Sequence, residues 1–263
     1  MDGTGVASIA LSDGRRLAYA VAGDPSGAPV LLAHGFPGSR LEAEVLGDAA
    51  SAAGVRLVCP DRPGFGASDR QPERRFEGWG RDALELANAL GIDRFAVLGF
   101  SAGVPFALAA AATLGERVVA CATVSSPGPL DRPGATSGMS LVNRAIFGAG
   151  RRVPMLASLI VQMIGSSARA EPAVVARRMA RGMADADRRI LLDPVVGTRY
   201  GAALREAFRA GTSGAVAEAR LLVRPWTFGL DAIAAPGTIW HGLDDRNVPV
   251  TAGRALAAGI PGA

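Results

Sequence analysis

The sequence predicts an α/β fold built on a parallel sheet. Short apolar runs alternate with stretches of helical character from residue 16 to residue 124, and such alternation is typical of strands joined by helical crossovers. One run, Pro29–Ala33, is apolar at every position, as expected of a strand that is buried on both faces of a sheet. From residue 127 to residue 225 strand character is absent, and the chain has the pattern of successive helices interrupted by Gly and Pro.

Glycines delimit the first two helices of the alternating part, because Gly54 and Gly91 directly follow helical patterns and glycine is favoured at a helix C-terminus. The predicted helices are Leu41–Ala53, Trp79–Leu90 and Ala102–Leu114. The predicted strands are Arg16–Ala22, Pro29–Ala33, Val55–Cys59, Phe95–Phe100 and Val118–Val124.

In the helical stretch, one set of apolar residues recurs at i, i+3, i+4, i+7 and i+8, which predicts a helix face directed at a core. These residues are Leu156, Leu159, Ile160, Met163 and Ile164.

A strand at Gly237–Trp240 and a helix at Thr251–Ala258 follow the helical stretch. We therefore expect a core at residues 1–126, a helical insertion at residues 127–226 and a continuation of the core at residues 227–263.

The composition excludes several classes of protein. The 263 residues are 49% hydrophobic and 20% charged, which predicts a folded domain with a sizeable core. Two Cys are too few for a disulfide-stapled scaffold and fit a reducing cytoplasm. The first ten residues lack the basic start of a signal peptide. The longest apolar run, Val153–Ile164, is too short to span a bilayer, so we expect a cytoplasmic protein without a membrane span.

The basic charge is concentrated in the helical insertion. All 28 basic residues are Arg, and the net charge is +4. Residues 128–225 contain 15 Arg against 7 acids, a charge of +8, so the remainder carries −4. Aromatics are only 5% and no nucleic-acid motif is visible, so we do not expect nucleic-acid binding. The Arg surplus either covers solvated helix faces or attracts an anionic substrate or membrane surface.

The pentapeptide Gly99-Phe100-Ser101-Ala102-Gly103 fits the G-x-S-x-G pattern, and it lies between a predicted strand and a predicted helix. In that context a strained turn lifts the serine hydroxyl above the sheet, and the glycines allow strand and helix to approach closely. The helix N-terminus adds unpaired N–H groups that favour a developing oxyanion. The pattern predicts Ser101 as a nucleophile.

Three further motifs follow predicted strands. They are H-G-F-P-G-S at His34–Ser39, D-R-P-G-F-G-A-S at Asp61–Ser68 and H-G-L-D-D-R-N-V-P at His241–Pro249. With the G-x-S-x-G segment, these motifs resemble, in order, those of the α/β-hydrolase superfamily. The resemblance implies the α/β-hydrolase fold, with a mostly parallel twisted sheet flanked by helices. It also implies an all-helical cap inserted between the sixth and seventh strands.

The resemblance assigns roles to residues. It implies Ser101 as nucleophile, Asp245 rather than Asp244 as the acid, and the backbone N–H groups of Phe36 and Ala102 as the oxyanion hole. No metal or cofactor is expected. A serine at this position argues against the haloalkane dehalogenases and epoxide hydrolases of the superfamily, which use Asp.

The implied reaction is acyl transfer from a small-molecule ester or acyl compound to water through an acyl-enzyme. The apolar residues Met155, Leu159, Met163 and Ile164 could line the acyl pocket. Two alternatives stay open. A peptidase of the proline-iminopeptidase type would need acidic residues in the cap, and a non-catalytic module would only bind its ligand.

The base of the triad is missing from the sequence. The two histidines, His34 and His241, both belong to motif positions for which the resemblance implies structural roles. We therefore expect that the chain lacks the C-terminal segment with the catalytic His and the final strand, and that its activity is impaired. Without that strand, Gly237–Trp240 would be an unpaired sheet edge, which predicts poor solubility or a homodimer.

Overall fold

Within residues 5–263, which the computed structural model describes apart from the side-chain surroundings of residues 149 and 150, the protein forms a seven-stranded sheet. The strands are β1 (Ser8–Ala10), β2 (Arg16–Gly23), β3 (Ala28–Ala33), β4 (Val55–Pro60), β5 (Phe95–Phe100), β6 (Val118–Val124) and β7 (Gly237–Trp240). Their order is β1-β2-β4-β3-β5-β6-β7. The β1–β2 and β2–β4 pairs are antiparallel and the others are parallel, so the predicted mostly parallel sheet is confirmed.

Helices connect the strands and fill the chain between β6 and β7. The helices of the core are α1 (Glu42–Ala52), α2 (Phe76–Ala89), α3 (Val104–Leu114) and α11 (Val250–Gly259). Those between β6 and β7 are α4 (Leu141–Asn143), α5 (Gly150–Arg152), α6 (Pro154–Ser167), α7 (Pro172–Ala180), α8 (Asp185–Leu192), α9 (Pro194–Ala207) and α10 (Ser213–Leu222). A π-helical turn, Arg144–Ala149, joins α4 to α5. We call residues 141–222 the helical segment.

The two faces of the sheet carry separate hydrophobic cores because successive side chains of a strand point to opposite faces. In β3, Leu32 packs with Ala43 and Ala50 of α1. Its neighbours Leu31 and Ala33 belong to the larger core, which also contains the buried side chains of α2 and α3. This arrangement explains why the β3 sequence is apolar at consecutive positions.

The strands and helices expected in the alternating part are present, with two differences. The three-residue strand β1 is too short to produce a recognisable alternation in the sequence. Helix α2 begins at Phe76, three residues before the expected start. Phe76 is buried against Phe106 of α3, with 5.2 Å between ring centroids, and this tertiary contact favours the additional turn.

The expected core-facing stripe of α6 is wrong. Leu159 and Met163 are 55% and 56% exposed, whereas the fully buried positions of the helix are Ala157, Val161 and Gly165. Small residues at this face allow close packing, since a side chain at Gly165 would lie 2.7 Å from Cγ2 of Thr212. The helix therefore packs through its small residues and exposes its larger ones.

Strand β7 lies at one edge of the sheet in the part of the chain that the structure describes, and Trp240 is 65% exposed there. A homodimer formed through this edge stays a prediction. Among residues 5–263, no helix combines the length and the apolar character needed to cross a bilayer.

Candidate active site

Ser101 occupies the turn between β5 and α3 with a positive φ of 51°, a conformation that is costly for a residue other than glycine. The flanking glycines are sterically required. A Cβ at Gly99 would lie 2.6 Å from Cα of Val104, and a Cβ at Gly103 would overlap the backbone oxygen of Ala33. The strand–turn–helix context thus holds the Ser101 hydroxyl at the carboxyl end of the parallel strands.

A cavity of about 270 Å³ opens beside Ser101, and both Phe36 and Asp245 contribute to its wall. Ala102, the fourth residue expected at the site, is buried immediately after the nucleophile position. The apolar part of the wall comes largely from α7, α8 and α9 and their connections, so the helical segment covers Ser101. These apolar residues are Met179, Met183, Ile190, Leu191 and Val196.

The acyl pocket expected from α6 is wrong. Met155, Leu159 and Met163 do not line the Ser101 cavity and are largely exposed, and Ile164 packs against the main hydrophobic core. The physical reason is that α7, α8 and α9 lie over Ser101 instead of α6. The i, i+4 spacing of Met179 and Met183 is the sequence signal that could have indicated them.

Backbone hydrogen bonds hold one oxygen of Asp245 in place. Oδ1 accepts from the backbone N–H groups of Asn247 at 2.7 Å and Val248 at 2.9 Å. The side chain of Asn143 in α4 donates to the backbone oxygen of Asn247 at 3.2 Å, which ties this loop to the helical segment. Asp244 is exposed and lies outside the Ser101 cavity.

His34 is a buried structural histidine. Its Nδ1 donates to the backbone oxygen of Gly35 at 2.9 Å, and its Nε2 accepts from the backbone N–H of Arg62 at 3.1 Å. Burial holds the pKa of His34 well below its usual 6.5, and the Arg62 charge lowers this pKa further. The imidazole is therefore neutral, with both nitrogens occupied.

His241 is also directed away from Ser101. Its Nε2 lies 2.9 Å from the backbone oxygen of Val248 and 3.6 Å from Oδ2 of Asp245. Its Nδ1 is buried and has no hydrogen-bond partner among the described residues. Neither histidine lines the Ser101 cavity in residues 5–263, so neither is placed to take the proton of the serine hydroxyl.

The model of the α/β hydrolase fold family matches residues 28–263. The chain belongs to this family. This α/β-hydrolase is 28% identical to the 2-hydroxymuconate semialdehyde hydrolase of Pseudomonas putida, over 90% of this chain and 77% of that protein.

Solved structures have the same fold. A thermophilic esterase from Thermogutta terrifontis aligns with a TM-score of 0.65 and 24% identity, over 98% of this chain and 87% of the esterase. The enol-lactonase from Burkholderia xenovorans aligns with a TM-score of 0.67 and 20% identity, over 97% of this chain and 88% of the lactonase. These relatives support a hydrolase activity for the present protein.

The loop that carries Phe36 in this hydrolase is held through its backbone. The N–H of Gly35 donates to both carboxylate oxygens of the buried Glu42, at 3.0 and 3.2 Å. From the other side, the Arg62 guanidinium donates to the backbone oxygens of His34 and, at 2.9 Å, of Gly35. Side chains buried beneath the site thus fix the loop just before Phe36.

A buried ion network joins this loop to the helical segment. Glu218 of α10 accepts from Nε of Arg62 at 2.8 Å and from Nη2 of Arg74 at 3.0 Å. Arg62 and Glu218 are 0% exposed, and the Arg62 guanidinium lies 4.6 Å from the ring centroid of Phe106. Sequence reasoning missed this network, because neither the spacing nor the residue types mark Glu218 as different from a surface acid.

We predict that Glu42 makes the stability of the protein depend on pH. Burial raises its pKa to about 7 from 4.5, although the Gly35 N–H and Arg62 favour the carboxylate. Because the folded-state pKa is the higher one, the folded state binds the proton more tightly. The stability that this provides is full below pH 4.5 and is lost as the pH rises through 7. The expected loss is about 3 kcal/mol.

The measurement is urea unfolding of wild type and Glu42→Gln between pH 4.5 and pH 8. Relative to wild type, the variant should gain about 3 kcal/mol of unfolding free energy across that range. Glu44→Gln is the control, since Glu44 is exposed on the same helix, and its difference from wild type should not change with pH. An equally flat difference for Glu42→Gln would contradict the prediction.

Proposed function

We propose that this protein is a serine hydrolase that transfers the acyl group of a small-molecule ester to water through an acyl-enzyme on Ser101. The observation that supports this best is the convergence of Ser101, Phe36 and Asp245 on one largely apolar cavity. The comparisons contribute the hydrolase family, and the serine chemistry rests on this geometry. The helical segment covers the cavity, and we propose residues 127–226 as a cap.

In the proposed reaction, Oγ of Ser101 attacks the ester carbonyl carbon as its proton passes to a base. The N–H groups of Phe36 and Ala102 receive the negative charge that develops on the carbonyl oxygen. The alcohol leaves with a proton, and the acyl group remains on Ser101. Water then attacks the acyl-enzyme and releases the carboxylic acid. Asp245 supplies a fixed negative charge that orients and stabilises the protonated base.

The base is the step for which the 263 residues are poorly equipped. His34 uses both ring nitrogens within the core, and His241 is bonded to Val248. We therefore propose that turnover by this sequence is impaired, while Ser101 and its oxyanion donors retain part of the rate. Enzymes that lose a triad member keep catalysis of roughly 10³–10⁴-fold over water.

We predict that added imidazole raises ester hydrolysis by the protein in a way that requires Ser101, because the free base can accept the proton that no residue takes. The measurement is p-nitrophenyl acetate hydrolysis with increasing imidazole for wild type and Ser101→Ala. Subtracting the Ser101→Ala rate removes direct hydrolysis by imidazole. We expect the remaining rate to rise by about tenfold or more.

A high imidazole-independent rate that disappears in His241→Ala would contradict the proposed impairment, since His241 would then be the base. A rate that is equal in wild type and Ser101→Ala at every imidazole concentration would contradict the serine mechanism. That second result would favour a non-catalytic module that only binds its ligand.

A second candidate is an aminopeptidase-like hydrolase, and one acidic residue favours it. Asp187 of α8 lines the Ser101 cavity, together with Asp245. None of the arginines of the described chain lines this cavity, although the insertion as a whole is strongly basic. A cavity with two carboxylates and an apolar wall suits a substrate with an ammonium group better than one with a carboxylate.

We predict that Asp187→Asn weakens the selection of substrates with a free amino group. The measurement compares kcat/KM for an alanine p-nitrophenyl ester with that for its N-acetyl form, in the presence of imidazole. Because Asp187 is exposed, we expect the ratio to fall by only about three- to tenfold. The control is Asp185→Asn, an exposed acid of the same helix outside the cavity. Equal ratios in wild type and Asp187→Asn would remove this candidate.

A further inference from the structure

A second, larger cavity lies in the helical insertion. It has a volume of about 630 Å³ and opens between the loop at residues 130–136 and one face of the helical stretch at residues 141–152. Four arginines line it, and two of them are adjacent in sequence at the end of α5. They are Arg132, Arg144, Arg151 and Arg152. Part of the basic surplus of the insertion is thus gathered around one concave surface.

The positive charge of this cavity is not compensated within the described residues. None of the residues that line it is acidic, and none of the four arginines takes part in the ion pairs described for residues 5–263. Arg151 donates to the backbone oxygen of Asp131 at 2.5 Å, which leaves most of its donors free. By contrast, Arg40 and Arg62 each face a buried carboxylate.

We infer that this cavity is a binding site for a phosphate-bearing anion with an apolar body. Guanidinium groups bind phosphate oxygens through paired N–H donors, and several of them around one cavity favour a multiply charged group. The remainder of the wall includes Leu130, Leu141 and Phe147, which can cover an apolar part. The volume is within the range of small-molecule sites.

This site is separate from the proposed catalytic one. The two cavities share no lining residue among those described. Phe147 belongs to the arginine-lined cavity, and its ring centroid lies 5.7 Å from that of Phe36, which lines the Ser101 cavity. Anion binding therefore requires neither Ser101 nor the proposed hydrolysis, and Ser101→Ala should bind the anion as the wild type does.

The test is calorimetric titration of the full chain with inorganic pyrophosphate at low ionic strength. We expect one site per chain and a loss of affinity of at least about tenfold in the double variant Arg144→Gln/Arg151→Gln. The matched control is Arg169→Gln/Arg181→Gln, which removes the same charge from exposed arginines of the insertion outside the cavity. This control and Ser101→Ala should keep the wild-type affinity. Unchanged thermal unfolding of both double variants would establish that their folds are intact.

A second arm distinguishes a soluble phosphate ester from a lipid headgroup. The wild type is sedimented with phosphatidylglycerol vesicles and with phosphatidylcholine vesicles, each with and without pyrophosphate. Sedimentation with phosphatidylglycerol alone that pyrophosphate reverses supports the site with a headgroup as its source. Pyrophosphate binding without sedimentation supports it with a soluble source. Absence of pyrophosphate binding, or an equal loss in the two double variants, overturns the inference.

Discussion

Replacing Glu218 by alanine is expected to lower the free energy of unfolding by about 3–5 kcal/mol. The carboxylate is fully buried between two arginines, and it accepts from Nε and Nη2 of Arg62 and from Nη2 of Arg74. Without it, two guanidinium charges remain out of water with no counter-ion. The cost arises from these unpaired charges, because an intact buried ion pair contributes little net stability.

The measurement for Glu218→Ala is the urea midpoint and slope of unfolding at neutral pH. The control is Glu171→Ala, since Glu171 is an exposed acid of the same helical insertion, and its change should stay within about 0.5 kcal/mol. Glu218→Gln keeps the shape and one acceptor oxygen, so we expect an intermediate loss. Equal midpoints for Glu218→Ala and Glu171→Ala would show that the buried network does not depend on this carboxylate.

Replacing Gly103 by alanine is expected to cost about 3 kcal/mol or more and to abolish the hydrolysis that depends on Ser101. A Cβ at this position would overlap the backbone oxygens of Ala33 and His34. Backbone atoms cannot rotate away as a side chain can, so α3 must shift relative to β3. That shift displaces Ser101 from Phe36, and both stability and activity should decline together.

The control for Gly103→Ala is Gly182→Ala, in the turn between α7 and α8, where an added Cβ meets no atom within 4 Å. Its effect on the unfolding free energy should be within about 1 kcal/mol, in the stabilising direction if any. Circular dichroism during urea unfolding measures both variants, and imidazole-assisted ester hydrolysis reports on the site. Wild-type stability of Gly103→Ala would mean that the turn is less tightly packed than described.

The fold was predictable because its signals are local. The apolar run of β3 and the G-x-S-x-G segment each determine a short piece of chain, and sterics at Gly99 and Gly103 leave little freedom there. Ser101, Phe36 and Asp245 could be placed because parallel strands bring their carboxyl ends to one edge of the sheet. Their roles in catalysis remain proposals.

The helical segment was predicted less well, because helical periodicity indicates an apolar face without indicating its neighbour. The large residues of α6 were taken for the buried face, whereas Ala157, Val161 and Gly165 are the ones that pack. The cavity wall from α7, α8 and α9 and the pairing of Arg62 with Glu218 depend on contacts between residues distant in sequence. Such contacts leave no pattern in a single sequence.

The uneven attachment of the helical segment determines where a substrate can pass to Ser101. Helices α9 and α10 are tied to the core by Glu206 with Arg40 and by Glu218 with Arg62. Helix α8, which contributes Asp187 to the cavity wall, has no buried residue. Moving the whole segment would separate charges that are shielded from water, whereas moving α8 alone exposes little. The passage for substrate and product therefore opens beside α8, and the residues of this short helix are where changes should alter access without altering the chemistry at Ser101.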